Sequence, residues 1–140
     1  MERTIKLLFT TLLVLMLGAS NVWAEESMSL STMVTPQNVD YNLCTRNYIL
    51  TPEKVFYMAI ASINANRFTI DEIQSKTGYI LFTAVGRQYL ASVVKVDSSK
   101  SMLRITPTSN NYFFAPGIVL NVFRYIDLNG ATPVYNLMKI

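Results

Sequence analysis

Between Thr51 and Pro107 the hydrophobic pattern changes period once, from helical to strand-like, and every later break is a short polar turn. Few folds accommodate that order. The stretch LTPEKVFYMAIASINANR places Thr51 at a helix N-cap, Pro52 at the first helical position and Glu53 in the first turn. Phe56, Ala59, Ile60 and Ile63 then fall at i, i+3, i+4 and i+7, one apolar stripe that Val55 widens, and Asn64 and Asn66 suit its end. After it, Phe68 and Ile70 alternate with polar neighbours, Ser75-Lys76-Thr77-Gly78 has turn chemistry, and Tyr79 to Val85 is rich in β-branched and aromatic residues. Gly86-Arg87 punctuates, QYLASVVKV is a third strand, DSSK a second polar turn, and SMLRITP a fourth strand closed by Pro107. In that last strand Met102, Arg104 and Thr106 face one way and Leu103 and Ile105 the other.

A second helical pattern opens at Ala115-Pro116-Gly117. Ile118, Val122, Tyr125 and Ile126 form its inner stripe, Asn121 and Arg124 point outward, and Leu128-Asn129-Gly130 stops it. Upstream, residues 46–50 (RNYIL) read as a short strand leading into the domain. Helices bracketing a meander predict an α+β fold: a two-layer sandwich whose antiparallel sheet of three to five strands is flanked by an N-terminal and a C-terminal helix, in the order α-β-β-β-β-α. This single domain is expected over residues 46–130, with a tail at 131–140 that reads as an edge strand or an unstructured end.

The N-terminus has a different character. MERTIK is followed by a short apolar run, then by Val22 and Ala24 at the −3 and −1 positions of a cleavage site, then by Glu25-Glu26. That is the pattern of a secretory signal peptide over residues 1–24, and it predicts an exported protein, periplasmic or secreted. The alternative is an uncleaved N-terminal membrane anchor, for which the apolar run is short against the roughly 20 residues a span requires. No Cys follows the run, so nothing points to a lipid-modified N-terminus. Residues 25–45 are polar and lack a sustained period, and read as an arm or linker.

The stretches TPEKVFYMAIASI and NRFTIDEIQSKTGYI resemble small exported domains of the bacterial envelope, in which a helix opening on Pro-Glu-Lys-Val-Phe precedes a strand and a Lys-Thr-Gly-Tyr-Ile turn. The C-like accessory lipoprotein of the outer-membrane β-barrel assembly machinery has domains of this helix-grip kind. The resemblance spans residues 46–127 and implies a fold and a compartment. It carries over no catalytic residue, and Ala24-Glu25 stands where the lipoprotein has its lipid-bearing Cys.

The chain contains no histidine, which removes Ser-His and Cys-His nucleophile pairs and the commonest metal ligand. Cys44 is the sole cysteine: it builds no intrachain disulfide and no thiolate zinc site, and reads as a small buried apolar side chain, with intermolecular pairing as the other reading. No phosphate-binding glycine loop and no metal or cofactor motif is present in the sequence. Residues 25–140 hold ten basic and eight acidic side chains, with the basic ones spread singly, which makes no case for nucleic acid. Asp71-Glu72 is the nearest approach to a carboxylate pair, yet successive strand residues diverge, so the two are expected on opposite faces. Asp97 belongs to a turn, and Asp127, close to a helix end, suits a partner such as Arg124.

The remaining feature is NNYFFAPG, residues 110–117. Three consecutive aromatics cannot all point inward from an extended segment. One of Phe113 and Phe114 is expected to close the end of the sandwich ahead of the second helix, and at least one aromatic is expected to remain exposed. Tyr112, Phe113 and Phe114 are therefore the candidate partner-binding residues. The expected function is a non-enzymatic envelope protein whose partner is another envelope protein or a membrane surface. The alternatives are a carrier of a small apolar ligand or lipid, which predicts a cavity between sheet and helix, and a carboxylate-based hydrolase, which predicts two converging acids with one raised pKa.

Overall fold

The computed structural model describes residues 28–131. The expected signal peptide and the tail beyond Ala131 lie outside the described residues. The chain divides into two compact units, residues 1–33 and 34–140. Of the first, only Met28 to Met33 are described, and they begin a short helix, α1 (Leu30–Val34).

In the second unit the chain runs through a short strand β1 (Gln37–Asn38), a 3-10 turn (Tyr41–Cys44) and β2 (Thr45–Tyr48) into the long helix α2 (Pro52–Ala65). The meander β3 (Thr69–Gln74), β4 (Tyr79–Ala84), β5 (Arg87–Lys95) and β6 (Ser101–Pro107) follows, then β7 (Phe113–Phe114) and α3 (Gly117–Asn129). The fold is α+β. One antiparallel sheet of five strands has the order β2-β6-β5-β4-β3, and β1 pairs with β7 in a second, two-stranded sheet. Among the described residues no helix is long and apolar enough to cross a membrane.

The local chemistry accounts for these elements. Thr51 caps α2: its Oγ1 accepts from the Lys54 amide at 3.3 Å, and Pro52 fills a position whose N–H would have no partner. Gly78 supplies the positive φ of 72° that ends the β3–β4 turn, and its carbonyl accepts from Val93 N at 2.8 Å. Strict alternation in β4 and β6 buries Ile80, Phe82 and Ala84 with Leu103 and Ile105, and β5 adds Tyr89 and Ala91. α2 lies on this inner face.

α2 buries more than one stripe. Met58, Ala61 and Ser62 are buried alongside Phe56, Ala59, Ile60 and Ile63 because α3 packs on the flank of α2 as well. At that contact Ser62 Oγ donates to the Val122 carbonyl at 2.9 Å, which satisfies a hydroxyl that is otherwise fully enclosed. Ser101, the other buried polar side chain, donates to the Leu50 carbonyl at 2.8 Å and so ties the entry of α2 to β6.

Three expectations need correction. Residues 37–45 are not a free arm: β1 pairs with β7, and Val39 and Cys44 are buried in the core. Two-residue strands carry too little pattern to be recognised without their partner. Asp127 pairs with Arg46 on β2 rather than with Arg124, because β2 runs beneath α3 at that point, and the Arg46 guanidinium also lies over the Phe123 ring at 5.1 Å. Asp71 and Glu72 do not diverge. A β-bulge between Ile70 and Glu72 lets both carboxylates reach partners on the outer face of the sheet: Asp71 accepts from Thr83 and Gln88, Glu72 from Tyr79 and Gln74.

Candidate interaction surface

Six aromatic rings form a continuous column through the domain. Phe68 stacks on Phe82 (5.9 Å between centroids) and Phe82 on Tyr89 (5.6 Å). Tyr89 meets Phe114 edge-on (5.4 Å), Phe114 meets Tyr112 (6.5 Å), and Tyr112 meets Tyr41 edge-on (6.3 Å). Offset and edge contacts of this kind add to the burial of each ring. Two of the candidate residues, Tyr112 and Phe114, are thus links in a column that starts at Phe68, just ahead of β3, and surfaces at Tyr41.

Phe113 is the exception. Alternation within β7 turns it away from Phe114, and its side chain stays 51% exposed while Phe114 is buried. The loop that carries it is held at many points. Arg87 donates to the Phe113 carbonyl at 2.5 Å, to the Asn111 carbonyl at 3.0 Å and to Ser109 Oγ at 3.2 Å. The Phe113 amide donates to Asn111 Oδ1, and Val39 N donates to the Tyr112 carbonyl at 2.8 Å. The planar guanidinium is suited to such a fork, so Phe113 is displayed from a braced loop.

The same end of the sheet carries a second anomaly. Ala84 pairs with Arg87, so Val85-Gly86 is a two-residue hairpin loop with both φ positive, 50° for Val85 and 74° for Gly86. Such loops favour Asn-Gly or Gly-Gly, and a β-branched residue there is strained. Val85 is also 81% exposed, so packing does not explain its presence. The other positive-φ residues that are not glycine, Arg67 and Asn110, belong to connections at this same end. The pairing of Thr69 with Thr83 and of Tyr89 with Pro107 brings all three connections together.

The chemistry elsewhere is muted. Among the described residues no three His, Cys, Asp or Glu side chains come together as a metal site. Hydrogen bonds from Thr83 and Gln88 hold the Asp71 carboxyl below its usual range, the opposite of what a general acid requires. Cys44 is buried at the end of the 3-10 turn, which packs on α3, β6 and β2, and there desolvation, helped by the Asp40 carboxylate, pushes its thiol up to about 11. The Tyr89 hydroxyl is enclosed with no hydrogen-bond partner among the described residues, and burial raises its pKa. Sequence reasoning missed Val85 and Arg87. A β-branched residue before a glycine, between two apolar runs, was the available signal.

No family model matches the chain, and no curated protein matches it in sequence.

Proposed function

We propose that this chain is an exported, non-enzymatic interaction module of the cell envelope that engages a partner protein through Phe113 and Val85. The observation that carries the reading is the pairing of exposure with rigidity at one end of the sheet. An exposed aromatic stands on a loop braced by Arg87, and an exposed valine occupies a strained turn where a smaller or polar residue would be more stable. Backbone strain persists where the surroundings and a use sustain it. A rigid aromatic is the residue type on which protein interfaces concentrate their energy. The export signal read from residues 1–24 supports the compartment.

Photo-crosslinking in cells tests this. A photoreactive residue replaces Val85 or Phe113 in turn, with Arg124, exposed on α3, as the control. The expected result is one protein captured from both positions and not from the control. Its binding to the purified chain should then fall at least tenfold in Phe113→Ser with folding unchanged. Equal adducts from all three positions, or undiminished binding by Phe113→Ser, overturn the proposal.

A further inference from the structure

All four lysines among the described residues stand at the opposite end of the domain. They come from three separate connections: Lys54 from the first turn of α2, Lys76 from the β3–β4 turn, and Lys95 and Lys100 from either side of the β5–β6 turn. The register brings these together, since Gln74 pairs with Tyr79, and both Lys95 and Tyr48 pair with Ser101. The ion pair seen among the described residues, Arg46–Asp127, uses none of them.

Three carboxylates, Glu53, Glu72 and Asp97, stand at or beside this end against the four lysines and neutralise it only in part; Glu72 is taken up by Gln74 and Tyr79. Asp97 turns into its own loop, accepting from the Ser99 amide at 2.8 Å and the Ser99 hydroxyl at 3.1 Å, and Glu53 lies in the first turn of α2. Between the lysines stand two aliphatic side chains that the fold leaves in water: Ile49, 79% exposed, and Val96, 56% exposed. With Lys100 they border an open cleft of about 410 Å³. A second cleft of about 310 Å³ lies between Lys76, Lys95 and the rings of Phe56 and Tyr57.

We propose that this end docks on an anionic lipid bilayer, with the lysines facing the headgroups and Ile49 and Val96 entering the interfacial layer. A bilayer surface accepts dispersed cations and protruding aliphatic tips together. Ammonium groups on long flexible stems suit mobile headgroups, whereas a fixed anion is more often held by the rigid fork of arginine, and this end has no arginine. The site is separate from the Phe113 end, so a membrane-bound domain would present Phe113 and Val85 away from the surface.

Vesicle flotation of the full chain tests this, with residues 1–27 identical in every variant so that their apolar run contributes equally. The expected partition is greater on vesicles containing phosphatidylglycerol than on phosphatidylcholine alone, and it weakens as salt is added. The triple variant K76Q/K95Q/K100Q should lose on the order of a hundredfold of the anionic preference, from roughly fivefold per lysine. The pair Ile49→Ser and Val96→Ser should lower partition at high salt, while R67Q/R124Q should bind as wild type does. Equal partition on both vesicle types, or a triple variant that binds undiminished, overturns the proposal. So does a wild-type chain that binds inorganic phosphate alone and ignores vesicles, since that result describes a site for a soluble anion.

Discussion

Phe114 meets Tyr89 edge to face at 5.4 Å, and this contact sets the direction of its neighbour: with Phe114 in the core, Phe113 must face out. The two adjacent phenylalanines should therefore respond oppositely to truncation. Phe114→Ala removes a buried ring and breaks the aromatic column, at a cost of about 3–5 kcal/mol. Phe113→Ala should change stability by less than about 0.5 kcal/mol, as exposed positions do. Urea denaturation of the two variants decides this. Similar losses in both would mean that Phe113 is packed.

Arg87 holds the display loop through one hydroxyl and two carbonyl oxygens. Arg87→Ala should leave the sheet intact and open the loop, because those bonds connect β5 only to residues 109–113. Amide exchange at Val39 and Phe113 should accelerate by about tenfold or more, since hydrogen bonds to charged groups contribute about 1.5–3 kcal/mol. Arg87→Lys should not restore protection, for a point charge cannot bridge partners that a planar fork spans. Unchanged exchange in Arg87→Ala would show that the β1–β7 pair holds the loop by itself.

What was legible in the sequence follows from the length over which a pattern is sustained. α2 announces itself by a cap, a proline and two turns of stripe, and β4 and β6 by unbroken alternation. The burial of Ser62 and Ala61 was not legible, because it depends on where α3 lies, and no period within α2 encodes that. β1 and β7 are two residues each and exist only as a pair. The bulge at Asp71 put on one face two carboxylates that alternation places on opposite faces, since one inserted residue shifts the side chains beyond it. For the candidate surface, the divergence of Phe113 and Phe114 could be read from alternation, whereas the brace from Arg87 spans 26 positions and could not.

Val85 should prove to be a site where stability can be raised. Its φ of 50° suits Asn or Gly and costs a β-branched residue about 1–3 kcal/mol. Val85→Asn should therefore raise the thermal midpoint, with a gain of about 1 kcal/mol, while weakening any contact made through the exposed valine. Calorimetry on the variant checks the first part, and the crosslinked partner's affinity the second. A drop in midpoint would show that the valine packs against something in the folded domain.

Arg46 and Asp127 join β2 to α3 across the edge of the domain. Their side chains are 39% and 41% exposed, so water and salt screen the pair. A double-mutant cycle with Arg46→Met and Asp127→Asn should give a coupling below about 1 kcal/mol that shrinks further in salt. Arg46→Met alone should cost more than that coupling, because it also removes the contact over the Phe123 ring. A salt-independent coupling of several kcal/mol would mean that the pair is effectively buried.

Cys44 gives the fold a signature in alkaline solution. Its thiol is pushed up to about 11, against 9.0 for an ordinary cysteine, because burial disfavours the thiolate and the Asp40 carboxylate adds to this. The folded chain thus keeps a proton that the unfolded chain gives up. Stability from this source is complete below the ordinary thiol range and is lost as pH rises toward 11, by up to roughly 2 kcal/mol. Tyrosines and lysines titrate nearby, so the informative quantity is the difference between wild type and Cys44→Ala, which lacks this part of the alkaline slope. Near neutral pH the thiolate fraction in the folded protein is about a hundredfold below that of the unfolded chain, and the side chain is enclosed as well. Labelling by a thiol reagent should therefore proceed at least a hundredfold more slowly in the native protein than in urea. Native labelling at the unfolded rate, with no difference in alkaline slope between wild type and Cys44→Ala, would place the cysteine at the surface.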